Sequence, residues 1–186
     1  MKRTWLAILW LVACSISASW ADEYSDTIEI FKNAGQSAGF FHYSYGYAVF
    51  PTIGKGGLVV GGAYGTGRVY AKGKYVGDTA MTQLSLGLQA GGQSYSQIIF
   101  FKDRRAFEEF TNGNYEFGAD ANAVAITAAA GASAGTTGAS AGASGGKNDA
   151  TTQGSYYKGM AVFTVVKGGA MFQATLAGQK FKYTPK

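Results

Sequence analysis

Between Tyr47 and Tyr70 the chain alternates apolar residues with glycines, and few folds accept such a run. Side chains alternate across a strand, so Leu58, Val60, Gly62 and Tyr64 fall on one face and Val59, Gly61, Ala63 and Gly65 on the other. A strand so poor in side chains suits a sheet that bends sharply or a backbone that something approaches closely. The stretch reads as a short apolar strand, a Pro/Gly turn from Pro51 that carries one lysine, Lys55, and then a second strand. Gly54-Lys55-Gly56-Gly57 can aim several backbone N–H groups at one anion, with Lys55 adding charge, or it can form a plain hairpin turn.

The first 21 residues read as a targeting segment. Lys2 and Arg3 precede an apolar run from Trp5 to Ala13 that is too short to span a bilayer, and Ser19-Trp20-Ala21 offers small residues for cleavage before Asp22. A second processing site fits as well. Leu11-Val12-Ala13-Cys14 has the form of a bacterial lipoprotein site. Either route implies export, to a bacterial periplasm, with residues 22–186 forming one domain. Cleavage after Ala21 removes the sole cysteine, so no disulfide framework is expected.

The mature chain would carry 14 basic and 11 acidic residues, a net +3 against +5 for the full sequence. Four acids, Asp22, Glu23, Asp26 and Glu29, come before the first mature lysine, Lys32. The body beyond them is basic, which suits anionic lipid better than nucleic acid in an exported protein. Residues 25–32 form a helix candidate, with Ser25 or Asp26 as its cap and Ile28, Phe31 and Ala34 on one face.

Further along, Lys72-Gly73-Lys74 links Val69-Tyr70 to Tyr75-Val76 as a tight hairpin turn. Thr82, Leu84, Leu86 and Leu88 alternate with Gln83, Ser85, Gly87 and Gln89, a strand with one apolar and one polar face, and Gly91-Gly92-Gln93 turns the chain. Ile98 to Phe101 is apolar on both faces, as in a covered strand. Asp103 caps a short helix with Ala106, Phe107 and Phe110 facing inward. Residues 131–149, almost all small or polar, read as a flexible loop. The fold expected is mainly β with some α: a strongly curved, largely antiparallel, barrel-like sheet with two or three flanking helices.

Gly46-Tyr47-Ala48-Val49-Phe50-Pro51, Gly54-Lys55-Gly56-Gly57, Gly61-Gly62, Gly87 to Gln93, Phe117 to Asp120, Lys167-Gly168-Gly169 and Gly178 to Phe181 occur in that order. Together they resemble the SYLF domain, over roughly residues 34–183. The resemblance implies binding of membrane lipids without catalysis. Actin binding, known for some eukaryotic members, is not expected of an exported bacterial protein.

The candidate lipid-binding residues are Lys55, Arg68, Tyr70, Lys72, Lys74, Tyr75, Lys180 and Lys182, which combine interfacial aromatics with long basic side chains. Their partner would be anionic phospholipid met by peripheral association, and no nucleic acid. His42 is the only histidine and has no recognisable triad or ligand context. No catalytic, cofactor or metal site is therefore expected. A competing expectation is an eight-stranded outer-membrane barrel, which the leader, the length and the tyrosine- and glycine-rich strands also fit. Intact mass of the purified processed protein distinguishes the two leader routes: an Asp22 start, or an acylated Cys14.

Overall fold

The computed structural model describes residues 23–57, 60–86, 91–118, 121, 124–126, 156–168 and 176–186. Helix α1 spans 23–33 and α2 spans Phe40–Tyr43. Strands β1 (Gly46–Gly57), β2 (Val60–Ala71), β3 (Lys74–Leu86) and β4 (Gly91–Phe101) follow, then α3 (Arg104–Thr111) and β5 to β8 (Asn114–Glu116, Val124–Ile126, Met160–Gly168, Gln179–Pro185). They form one eight-stranded sheet in the order β5-β8-β3-β2-β1-β4-β7-β6. Every pairing is antiparallel except β6 with β7. The leader and the 131–149 segment lie outside the described residues.

The sheet is open but strongly curled. Gln97 on β4 and Gln179 on β8 lie four strands apart, roughly 19 Å in a flat sheet, yet their side chains hydrogen-bond at 3.0 Å. Phe50 on β1 likewise meets Phe181 on β8 at a ring separation of 5.7 Å. The concave face holds the larger core, with Phe50, Ile53, Met81, Ile99, Phe101 and Phe181 closed over by Ala106 and Phe110 of α3. On the convex face, Val49, Ile98, Phe100 and Phe163 pack under Phe31 of α1 and Phe40 of α2. The expected curved sheet with flanking helices is what the chain forms. Its open edges, and the helices that cover its outer face over β1, β4 and β7, depart from a membrane barrel, whose strands must pair all the way round.

Several local expectations change. The 54–57 segment is neither turn nor nest: it continues β1, paired with both β2 and β4, so ladder bonds occupy its backbone. Pro51 does not end the strand, because a bulge between Val49 and Ile53 absorbs it. Gly91-Gly92-Gln93 likewise belongs to β4. On β3 the polar face turns inward: Gln83 is buried while Leu84 is 84% exposed. Helix α1 is already under way at Glu23, so Ser25 and Asp26 lie within it rather than capping it. Asp103 does cap α3, accepting from the Ala106 N–H at 2.9 Å.

The glycines of β2 make room for the core. A Cβ at Gly67 would lie 2.7 Å from the Phe50 ring and 2.8 Å from the Val49 carbonyl oxygen, whereas nothing lies within 4 Å of one at Gly54. Gly67→Ala is therefore expected to destabilise the fold by about 1–3 kcal/mol through overpacking, with Gly54→Ala close to neutral. Urea unfolding of the two variants checks this.

Candidate functional site

Six strand ends meet along one edge of the sheet. The pairs Gly46↔Ala71, Ala71↔Lys74, Gly46↔Phe101, Phe101↔Met160 and Gly77↔Pro185 place the starts of β1, β3 and β7 beside the ends of β2, β4 and β8. Two tight turns project from this edge. Tyr70-Ala71-Lys72-Gly73 links β2 to β3, and Tyr156-Tyr157-Lys158-Gly159 leads into β7, where Tyr157 and Met160 exchange backbone hydrogen bonds of 2.8 and 2.9 Å.

In both turns a lysine and the following glycine have positive φ: 50° and 75° at Lys72-Gly73, 49° and 81° at Lys158-Gly159. That is the geometry of two-residue hairpins, which favour Asn-Gly. Lysine pays a steric penalty there that glycine avoids and asparagine largely avoids, on the order of 1 kcal/mol. Among the described residues, Lys72 and Lys158 are the non-glycine positions held this way.

The rim these turns define carries Lys72, Lys74, Lys102, Lys158 and Lys186. Most of these ammonium groups lie over a tyrosine: Lys72 over Tyr45 at 5.5 Å, Lys102 over Tyr156 at 6.0 Å, Lys158 over Tyr157 at 5.1 Å and Lys186 over Tyr75 at 5.1 Å. Such contacts orient the chains along the rim. Beside them Tyr43 of α2 is 83% exposed. The ion pairs among the described residues are Arg104–Glu108, Arg105–Glu109, Lys167–Glu23 and Lys180–Glu116, which leave Lys72, Lys74, Lys102 and Lys186 without a carboxylate partner. From β8 to β7 the rim spans five interstrand spacings, an arc of about 24 Å.

Of the residues singled out from sequence, Tyr70, Lys72, Lys74 and Tyr75 come together on this rim. Arg68 sits further in on the convex face, its guanidinium 4.3 Å from the Tyr24 ring of α1 and 5.3 Å from that of Tyr75. It fastens α1 to the sheet. Lys55 lies nine residues along β1 from Gly46, roughly 30 Å from the rim, and on the concave face beside Ala63. Lys180 pairs with Glu116 at 3.5 Å, and Lys182 sits mid-strand opposite Ala80 and Asn114. These three do not extend the rim.

Sequence reasoning missed Lys102, Lys158, Lys186, Tyr43, Tyr45 and Tyr157. One signal was available. Tyr70-Ala71-Lys72-Gly73-Lys74-Tyr75-Val76 and Tyr156-Tyr157-Lys158-Gly159-Met160-Ala161-Val162 share the spacing Tyr-x-Lys-Gly-x-x-Val.

Residues 82–183 match the family model described as "Ysc84: Las17-binding protein actin regulator". The chain belongs to the Ysc84 (SYLF) family. It is 28% identical over 156 residues to Beta cell expansion factor A of Aeromonas veronii, across 83% of this chain and 51% of that protein. The chain thus spans about half the length of that relative. Ysc84 (SYLF) domains are in general non-enzymatic and bind lipid or actin. The matched segment contains Lys102 and Lys158 of the rim, while β1 and the first Lys-Gly turn precede it.

Inside the curl of the concave face a cluster of buried side chains is polar. Gln97 and Gln179 exchange amide hydrogen bonds at 3.0 and 3.3 Å, and Gln179 also donates to the Tyr95 hydroxyl at 3.3 Å. Burial pushes the Tyr95 phenol up to about 12. Because its folded value lies above the ordinary value near 10, the unfolded chain ionises first as pH rises. Stability is then full below pH 10 and falls between pH 10 and 12, by on the order of 2 kcal/mol from this group. Urea midpoints at pH 9 and pH 11.5 are expected to diverge more for the unaltered protein than for Tyr95→Phe.

Proposed function

We propose that this chain is a non-catalytic module that binds membranes through anionic phospholipid headgroups, using the lysine–tyrosine rim. The observation that carries this is the pair of Lys-Gly turns. Two lysines occupy the position where asparagine would fold more easily, at the same edge of the sheet, with three further lysines on neighbouring strand ends. Strained non-glycine backbone points to a role beyond folding. The ammonium groups line an arc rather than converging on one point, which suits a charged surface. Tyr43 and Tyr157, both exposed, are placed to enter the headgroup layer alongside them.

The leader-like first 21 residues extend this reading to an exported protein acting on phospholipid in the periplasm. Family membership supports lipid binding in general, and the charge of the basic rim supports anionic lipid as the partner. No helix among the described residues is long and apolar enough to cross a membrane, consistent with peripheral association.

The test separates folding from binding. Asparagine fits the turn better than lysine, so Lys72→Asn with Lys158→Asn is expected to raise stability by about 1–2 kcal/mol. The same double substitution removes two charges, each contributing about 1 kcal/mol at an anionic surface, and weakens binding about 30-fold. Sedimentation with phosphatidylglycerol vesicles at low and high salt, alongside thermal melting, measures both. A more stable variant that still binds as the original does, or equal binding to phosphatidylcholine vesicles, would overturn the rim as the site.

A further inference from the structure

One cross-strand row on the concave face runs Gln93–Lys55–Ala63–Gln83–Gln179, over β4, β1, β2, β3 and β8. The next row inward is Tyr95–Ile53–Gly65–Met81–Phe181, and it closes the apolar core. The sheet curls toward this face, and Ala63 is the smallest member of the row.

The two halves of the row differ. On the β3–β8 side the amides are engaged: Gln83 donates to the Ala177 carbonyl at 2.8 Å, and Gln179 is held by Gln97 and Tyr95. On the β1–β4 side, Gln93 has a buried amide nitrogen without a hydrogen-bond partner among the described residues. Lys55, directly opposite Gln93 in the ladder, has no carboxylate partner among them either. Cβ atoms at such a pair lie about 4.5–5.5 Å apart. The buried Gln93 amide nitrogen costs free energy while it lacks an acceptor, and the half-buried Lys55 opposite it in the ladder is a second donor. Burial also lowers the Lys55 pKa, which an anion would reverse.

We propose that Lys55 and Gln93 form a second anion site, taking a phosphate or carboxylate oxyanion that lies over Ala63 on the concave face. It is separate from the rim, at the other end of β1, and stands or falls independently of it. Two donors on adjacent strands can each give a hydrogen bond to one oxyanion, and the charge-assisted one from Lys55 is the stronger.

Calorimetric titration of the purified protein with inorganic phosphate and with octyl phosphate tests this. Saturable binding is expected, weakened at least tenfold by Lys55→Met and by Gln93→Glu, which places a carboxylate against the anion. The Lys72→Asn, Lys158→Asn double variant should bind as the original does. Binding of both probes identifies a free oxyanion site, and binding of octyl phosphate alone identifies an amphiphile headgroup site. Either supports the proposal. Lack of saturation with both probes would overturn it, as would full binding by a folded Lys55→Met protein or loss of binding in the turn variant. As a second measurement, the Lys55 side-chain resonances should titrate at higher pH when phosphate is present, and an unchanged titration counts against the site.

Discussion

Side chains that touch across the inside of the curl set the shape on which everything else rests. The Gln97–Gln179 amide pair and the Phe50–Phe181 contact join strands that would lie far apart in a flat sheet. Two buried glutamines satisfy each other through reciprocal bonds, where either alone would leave an orphaned amide costing about 1–3 kcal/mol. Such a pair tolerates little change in curvature. The apolar contacts supply the drive to close, and the amides fix how far closure goes.

Closure of this kind needs strands that can bend and approach. Gly65 and Gly67 supply it on β2, because Cβ atoms there would meet Ile53 and Phe50 of the neighbouring strand. Gly46 does the same at the start of β1, where a Cβ would strike the Tyr70 carbonyl oxygen. With β2 so bare, the bulky residues of β1 occupy space its own side chains would otherwise fill. Glycine here is a packing requirement, which is why it recurs along a strand where it would ordinarily weaken the structure.

The general design was legible in the sequence because it followed from local pattern. Two-sided apolarity at Ile98–Phe101 predicted a covered strand, and all four residues are fully buried. Asp103 three residues before Ala106 predicted the cap. Lys72-Gly73-Lys74 between two strand-like runs predicted the hairpin, whose turn is Lys72-Gly73 with Lys74 opening β3. What failed depended on strand order and curl, which no local pattern carries. Gln83 looked solvent-facing because polar residues usually are, yet the curl turned its face inward. Lys55 looked like part of a turn because glycines surround it, yet those glycines are strand residues paired on both sides. Lys102, Lys158 and Lys186 looked unrelated because their strands are brought to one edge only by the sheet's topology.

Where β1 and β4 are covered on both faces, the sheet has little room for chemistry except at strand ends and at the borders of its core. The two charged regions lie there and differ in environment. The rim lysines sit over tyrosines at the water boundary, where each charge interacts through a high dielectric and is screened within a Debye length of about 8–10 Å. Lys55 sits against the polar border of the concave core, where screening is weaker and each charge-assisted bond counts for more. Affinity at the rim must therefore come from many lysines and collapse with salt, whereas affinity beside Lys55 must come from few donors and resist salt. About 30 Å of β1 separates these regimes, so the salt response of anion binding is itself a readout of which end of the sheet is in use.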